Sequence, residues 1–258
     1  MNTLKEIYNY REMILSLVRK DLRGRYKGSF LGFLWTFINP LLQLCVYTLV
    51  FSFILKSDID KYYLFLFVAL IPWIFFSAAL TGGATSVLNQ KDMVKKIYFP
   101  REVLPIAYVT SCFVNMLYCF IVVFAVVLVA GVKLSFVALL YLPIIMVIEY
   151  ILCLGIAFLS SAITVFFRDL EHILGIVAMA WMYLTPVMYK IEIVPEKYQK
   201  LFSLNPMTPI IRGYRDILYY GQVPHIRTFI SATILGTFVL IIGYFVFGLM
   251  KKKFVEEM

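Results

Sequence analysis

The sequence predicts an all-α integral membrane protein with six transmembrane helices. Hydrophobic residues make up 62% of the 258 residues, whereas an ordinary soluble domain has about 45–50%. Charged residues make up only 15%, against about 25% in a soluble domain, and several long segments contain none. So few polar side chains could not cover the surface of a soluble protein of this length. The composition therefore excludes a soluble globular enzyme, a disordered chain and a fibrous repeat.

Six apolar segments are the basis for the predicted helices. They cover residues 30–55, 62–88, 103–130, 139–167, 172–189 and 228–250. Five of them exceed the roughly 20 residues that a helix needs to cross a hydrocarbon core, and the segment at 172–189 is barely long enough. A β-barrel is not indicated, because barrel strands are about ten residues of alternating character.

The distribution of basic residues predicts the orientation in the membrane. Lys and Arg are concentrated in residues 1–27, in the loop at 89–101 and in the tail at 251–253, and the short loops on the other side hold few. By the positive-inside rule both termini are cytoplasmic, which predicts a multi-pass protein of the cell (inner or cytoplasmic) membrane. This topology and anionic lipid head groups explain the net charge of +9, so no nucleic-acid partner is implied. Residues 1–27 contain no apolar core of the kind found in a signal peptide.

Residues 1–27 are predicted to form a basic amphipathic helix that lies along the cytoplasmic surface of the membrane. Apolar side chains recur there at helical spacing: Leu4, Ile7, Tyr8, Ile14, Leu15, Val18 and Leu22. Two roles remain open for this helix, a membrane-surface anchor and a docking element for a partner protein.

The cytoplasmic loop at 89–101, with the sequence NQKDMVKKIYFPR, is predicted to contain a short helix that ends before Pro100. An exposed apolar face on such a helix is typical of a segment that inserts into a groove of another protein, although adsorption to the membrane surface would explain it equally. The residues of the predicted apolar face are Met93, Val94, Ile97 and Tyr98, and the full set of candidate coupling residues adds Asp92 and Lys96.

Two of the predicted spans carry polar stripes. The stripe in the first span consists of Thr36, Asn39, Gln43 and Tyr47, and that in the third consists of Tyr108, Ser111, Asn115 and Tyr118. Because polar groups that face lipid would lack partners, both stripes are expected to face the interior of a bundle or a wet cavity. They could line a pathway, or they could hydrogen-bond neighbouring helices.

The outer loop at 190–227 is predicted to form a re-entrant hairpin or an external cap. Thr208-Pro209 is a typical helix start, and an apolar face follows it as far as Leu218. Glu149 is the only acid inside a predicted span. Its separation from Arg168 corresponds to a position near the outer interface, so a snorkelling or bundle-facing carboxylate is favoured over an intramembrane proton relay.

The sequence lacks the motifs of the common enzyme classes. It has no G-x-x-x-x-G-K-[ST] phosphate loop, no H-E-x-x-H and no G-x-S-x-G elbow. The four cysteines lie inside apolar spans without metal-ligand spacing, and the two histidines lie in different loops. No catalytic, cofactor-binding or metal-binding residue is therefore predicted, and the chain is expected to be a conduit whose energy source is elsewhere.

Four segments together resemble a known family. Residues 26–40 (YKGSFLGFLWTFINP), 98–106 (YFPREVLPI), 167–174 (FRDLEHIL) and 205–218 (NPMTPIIRGYRDIL) are similar to the permease subunits of ABC exporters for O-antigen, teichoic acid and rhamnose-type polysaccharides. The similarity runs in order along nearly the whole chain and agrees with the six-span topology.

This resemblance implies partners and a substrate class. Permeases of this family are homodimers that pair with two copies of a separate ATPase, which binds ATP and Mg²⁺, and they export lipid-linked polymers. The resemblance implies that the N-terminal helix and the 89–101 loop contact the ATPase, and that residues 195–220 pack as short helices at the outer end of the pathway. The candidate pathway residues are Thr36, Asn39, Gln43, Tyr47, Phe51, Asn115 and Trp181.

Two other functions remain possible on sequence grounds. One is a drug- or lipid-exporting permease of the same ABC class. The other is an integral-membrane acyl- or glycosyltransferase of envelope synthesis, which would need an acid or a histidine deep in a cavity. Only Glu149 comes near that requirement.

Overall fold

The computed structural model describes residues 2–25, 27–54 and 58–257, and within these ranges the regular secondary structure is helical. The helices are α1 (Asn2–Asn9), α2 (Arg11–Gly24), α3 (Trp35–Thr48), α4 (Tyr62–Thr85), α5 (Lys91–Lys96), α6 (Val103–Val129), α7 (Phe136–Phe166), α8 (Leu170–Tyr183), α9 (Glu196–Leu204), α10 (Met207–Leu218), α11 (Ile226–Met250) and α12 (Phe254–Glu257). The predicted all-α class is confirmed. Tyr26 and Leu55, which belong to segments discussed above, and the side chain of Leu4 lie outside the described residues.

Among the described residues, five segments are long and apolar enough to cross a membrane. They are Gly32–Ser52, Tyr62–Thr85, Val103–Val129, Phe136–Phe166 and Ile226–Lys253, and they correspond to the first, second, third, fourth and sixth predicted spans. The predicted fifth span, 172–189, is different: its helix α8 has only 14 residues and ends at Tyr183. Helices usually end at or before the residue that precedes a proline, and Pro186 follows closely here.

The N-terminal segment also differs from its prediction as one helix. The backbone turns at Tyr10, between α1 and α2, and α2 packs along α6.

Helix α7 lies at the centre of the bundle and contacts α4, α6, α10 and α11. Its closest neighbour is α11, because two glycines face each other there. A Cβ atom added to Gly243 would overlap the carbonyl oxygen of Gly155 on α7. Small residues at a helix interface allow backbones to approach closely in membranes, so this pair determines how near the two long helices come.

Helix α10 is buried against α4, α7 and α11, at the end of the bundle opposite α5. Beside it runs the non-helical segment 184–190, whose carbonyl groups are paired by side chains. Arg215 donates from Nη1 to the carbonyl oxygen of Pro186 and from Nη2 to that of Val187, each at 2.6 Å. Tyr62 donates to Met188 O at 2.9 Å, and Asn205 Nδ2 donates to Leu184 O at 3.0 Å.

Arg215 is a cation in an almost completely enclosed position, with 5% of its surface exposed. Its guanidinium carbon lies 3.5 Å from the centre of the Phe65 ring, a cation–π contact that partly replaces water. A guanidinium group stays protonated in proteins, so Arg215 can hold the 184–190 segment against α10 as a cation.

Replacing Gly243 with valine is expected to force α7 and α11 apart. Overpacking of this kind costs about 1–3 kcal/mol of unfolding free energy. Gly248 on the same helix is a matched control, because nothing lies within 4 Å of a Cβ atom there, and Gly248→Val should change stability by under about 0.5 kcal/mol. Thermal unfolding of the purified chain in detergent measures both, and equal melting temperatures would contradict the close helix contact.

Replacing Arg215 with methionine is expected to leave the Pro186 and Val187 carbonyls without partners. The loss should be about 3 kcal/mol or more, since hydrogen bonds to a charged group contribute roughly 1.5–3 kcal/mol each. Arg212→Met is the matched control, because Arg212 is an exposed cation on the same helix. Hydrogen exchange at residues 184–190 should accelerate only in the Arg215 variant; the same protection in both variants would rule out the anchoring role.

Candidate functional site

The loop at 89–101 is the first candidate site, and the structure gives different degrees of burial to the four apolar side chains predicted to share one exposed face. Helix α5 ends at Lys96, and Ile97 is already extended. Val94 is only 6% exposed, whereas Ile97 is 59% and Tyr98 is 90% exposed. Because the helix ends at Lys96, Ile97 and Tyr98 do not continue the helical face of Met93 and Val94. The prediction of one exposed helical face with four residues is therefore wrong. Ile97 and Tyr98 form the exposed part.

The other residues of the predicted coupling set lie within helix α5. Asp92 lies exposed in the first turn of α5, where the positive end of the helix dipole stabilises a negative charge. Lys96 is exposed in the last turn, where the negative end of the dipole stabilises a positive charge. Met93 is half-buried, and Val94 packs in a cytoplasmic core cluster with Phe99, Phe158 and Phe247.

The loop is fastened to the C-terminal end of the chain. The buried carboxylate of Glu102 forms an ion pair with Lys251, and Arg101 donates to the backbone carbonyl of Lys251. Tyr10 donates to the carbonyl of Tyr98 at 3.3 Å. A cavity of about 550 Å³ lies between these parts, lined by both Ile97 and Tyr98. The loop, the α1–α2 turn and the end of α11 thus form one continuous surface at the same end of the bundle.

The polar stripe of the first span divides between two environments. Thr36 is buried against α6, where Cys119 Sγ contacts its carbonyl oxygen at 3.4 Å. Asn39 and Gln43 are exposed on the surface of the single chain. Tyr47 is half-buried. The stripe therefore contains one buried residue, two exposed residues and one half-buried residue.

Aromatic candidates for the pathway lie nearer the core. Phe51 is half-buried and stacks on Tyr62, with ring centres 5.7 Å apart. Trp181 contacts Phe76 edge-on at 5.0 Å, and its indole Nε1 donates to Asn205 Oδ1 at 3.0 Å. Trp181 therefore joins α8 to the start of α10.

The stripe of the third span mainly holds helices together. Arg25, just after α2, forms an ion pair with Asp21 at 2.9 Å and donates to Ser111 Oγ at 3.2 Å. Ser111 also hydrogen-bonds Asp21. Asn115, one turn further along α6, is half-buried beside a small cavity of about 50 Å³. Ser111 is thus a helix-packing residue.

Glu149 is fully buried inside the bundle. Of the two placements favoured from the sequence, a snorkelling or a bundle-facing carboxylate, the structure shows the second. Tyr214 of α10 donates to Glu149 Oε2 at 2.6 Å, so this contact links the central helix to the outer helix. The sequence reasoning missed Tyr214 and Arg215. A signal existed, because Arg215 lies four residues after Ile211 and so falls on the apolar face of α10, where an exposed cation is not expected.

Within the part of the chain that the structure describes, no group of three or more His, Cys, Asp or Glu side chains could hold a metal ion.

Comparison with known proteins identifies the family. Residues 12–219 match the family model described as ABC-2 type transporter. The chain is 33% identical over 260 residues to the O-antigen export system permease protein RfbA of Myxococcus xanthus, covering 98% of both chains. It is 32% identical to the protein of the same name from Klebsiella pneumoniae, covering 98% of this chain and 99% of the relative. A more distant relative is the polysialic acid transport protein KpsM of Escherichia coli, at 19% identity over 81% of both chains. The chain therefore belongs to the ABC-2 type transporter family.

Proposed function

We propose that this chain is the permease subunit of an ATP-driven exporter that moves a lipid-linked cell-surface polysaccharide, of the O-antigen or teichoic-acid type, across the cytoplasmic membrane. The observation that carries the proposal is the similarity, over nearly the full length, to relatives named O-antigen export permeases. The chain is a transport subunit, and catalysis belongs to a partner.

The energy would come from a separate ATPase. The sequence contains no phosphate loop, and the chain would therefore depend on a partner that binds ATP and Mg²⁺. The proposed docking surface consists of Ile97, Tyr98 and the neighbouring charges Asp92 and Lys96, all of which are exposed. Val94 would support this surface from inside, because it packs on α7 and α11 through Phe158 and Phe247.

Two copies of the chain would form the conduit. Asn39 and Gln43 are exposed on one chain, yet amide side chains that face lipid would lack hydrogen-bond partners. A second copy, or water enclosed between two copies, would satisfy them. Tyr47 and Phe51 would continue the wall, whereas the packed residues Thr36, Asn115 and Trp181 would support it from behind.

The proposed topology keeps both termini in the cytoplasm. Helix α8 together with the 184–190 segment and α10 would form the remaining membrane-embedded unit, a hairpin closed by Arg215. Helices α1 and α2 would lie at the cytoplasmic interface, where basic amphipathic helices are stable.

Reconstitution tests the function directly. The chain and its cognate ATPase, placed together in proteoliposomes, should translocate a lipid-linked polysaccharide upon addition of ATP. A lipophilic dye and a short-chain fluorescent phospholipid serve as competing cargoes. ATP-dependent movement of either of these, without movement of the glycan, would favour the drug or lipid exporter instead.

Cysteine labelling tests the pathway. After replacement of the native cysteines, Asn39→Cys and Gln43→Cys should react with a membrane-impermeant thiol reagent, because the proposed conduit is wet. Leu41→Cys is the matched control, because Leu41 is exposed on the opposite, apolar side of the same helix, and it should react at least about tenfold more slowly, since thiolate formation is suppressed in lipid. Equal labelling of all three positions would contradict a pathway along this stripe.

Substitution of Ile97 tests the docking surface. Ile97→Asp should leave the permease folded, since this side chain is exposed, but it should weaken ATPase binding. The loss combines about 1.5–3 kcal/mol of apolar burial with the cost of enclosing an unpaired charge. Recovery of the complex by affinity purification at matched expression measures the effect.

Two further variants separate docking from stability. Lys95→Ala removes an exposed charge nearby and should cost under about 1 kcal/mol of docking. Val94→Asp should instead lower the melting temperature of the permease itself, because Val94 is buried. If Ile97→Asp recovers as much ATPase as the parent, the α1–α2 segment becomes the better docking candidate.

A further inference from the structure

The start of helix α6 is tied to the end of helix α11 by two polar contacts. Glu102, which precedes α6, forms an ion pair with Lys251, which follows α11. Its neighbour Arg101 donates from Nη1 to the backbone carbonyl oxygen of Lys251. The end of the 89–101 loop is therefore attached to α11 through both the side chain and the backbone of one residue.

The burial of this ion pair is greater than a helix cap requires. The helix dipoles favour a carboxylate at the start of α6 and a cation at the end of α11, but exposed side chains would supply that effect. Glu102 instead is 1% exposed, and its Oε2 accepts no hydrogen bond from the residues that the structure describes. A buried ion pair offsets its desolvation only when the remaining polar atoms are also satisfied. Apolar side chains would hold two static helix ends at least as well, so the pair needs another explanation.

The ion pair lies a few residues from the proposed docking surface. Residues 97–100 connect α5 to the turn before α6 without a helical turn of their own, and Ile97 is extended. Ile97 and Tyr98 line the same cavity of about 550 Å³ as Glu102 and Lys251. A partner that binds Ile97 and Tyr98 would therefore act on Glu102 through a short, extended connection.

Beyond Lys251, the contacts lead into the centre of the bundle. Phe247 and Phe254, on either side of it along the chain, are fully buried, and their ring centres are 5.4 Å apart. Phe247 also contacts Phe158 of α7 edge-on, with 5.2 Å between the ring centres. Because closely packed side chains transmit strain to one another, a displacement of Lys251 would be passed to α11 and α7 together.

We propose that Glu102 and Lys251 are positioning residues that pass a displacement of the docking surface to α11. The inference rests on the proposed function, because it requires an ATPase that binds at Ile97 and Tyr98. Without the ion pair the ATPase would still bind and hydrolyse ATP, since neither residue belongs to the docking surface. The displacement would then reach the long helices less directly, through Val94, and hydrolysis would proceed without transport.

The amount of glycan transported per ATP hydrolysed tests this role, in proteoliposomes that contain the complex with the ATPase. Glu102→Gln removes the charge but keeps the side-chain length and an acceptor oxygen. It should lower this ratio about tenfold, within the range that single substitutions produce in coupling between sites, while complex recovery and ATP hydrolysis stay at the parent's level. Lys251→Met should do the same, and Lys251→Arg should restore the ratio, because arginine also pairs with carboxylates.

Lys253→Met is the matched control for the loss of a positive charge. Lys253 is exposed at the same end of the chain, so this variant should transport as much glycan per ATP as the parent. A parental ratio in both Glu102→Gln and Lys251→Met would overturn the proposal. A loss in Lys253→Met as large as that in Lys251→Met would also overturn it.

Hydrogen exchange measures the transmission itself and does not depend on transport. Exchange at residues 91–98 and at residues 247–254 is compared between the ADP-bound complex and the complex trapped with ATP and vanadate. In the parent both segments should differ between the two states. In Glu102→Gln the difference should persist at 91–98 and disappear at 247–254, whereas a merely structural role would raise exchange equally in both states. A variant that keeps both differences, or loses both, would overturn the proposal, as would a parent without a difference at 247–254.

The two proposals fail separately. A parent complex that hydrolyses ATP but transports no glycan would contradict the proposed cargo, and the exchange comparison would still decide the role of the ion pair. A parent complex that transports glycan, together with an unchanged ratio and unchanged exchange differences in Glu102→Gln, would overturn the role of the ion pair alone.

Discussion

The fork of hydrogen bonds from Arg215 to the carbonyls of Pro186 and Val187 allows a non-helical segment to lie inside an otherwise helical bundle. Backbone groups away from water must be paired within the protein. Within the 184–190 segment the Thr185 carbonyl accepts from Val187 N–H, and Arg215, Asn205 and Tyr62 supply side-chain donors to four further carbonyls. The packing of this segment against α10 depends on this arrangement, which costs the desolvation of one cation.

The opposite end of the bundle, around α5, is held by a different kind of contact. Glu102 forms an ion pair there with Lys251, which is distant in sequence, and the Asp21–Arg25 pair of α2 and the residue after it hydrogen-bonds Ser111 of α6. Between the two ends runs α7, which meets the cytoplasmic loop through Phe158 and Val94 and the outer helix through Glu149 and Tyr214. A displacement of the loop would therefore act on α10 through one long helix that is closely packed against α11.

The sequence was informative where one physical rule dominates. Apolar length alone identified five of the spans, because few other structures place so many uncharged residues together. It failed where two rules compete. At 93–98 helical periodicity predicted a continuous exposed face, but the helix ends at Lys96 and Phe99 packs in the core, so Val94 is buried while Ile97 and Tyr98 are exposed.

The residues of the candidate sites were partly predictable for the same reason. Asn39 and Gln43 stood out as polar groups in an apolar helix, and they are exposed on the single chain. Thr36 was chosen by its spacing and Trp181 through the family resemblance, but their contacts lie in the folded interior.

The central claim is that this chain is a conduit driven by another protein, and a mass measurement combined with an ATP hydrolysis assay tests it most directly. The chain purified alone should hydrolyse no ATP, whereas the detergent-solubilised complex should contain two copies of the chain and two of the ATPase and should hydrolyse ATP. A purified permease that hydrolyses ATP without the partner, or a complex with a single copy of this chain, would contradict the account.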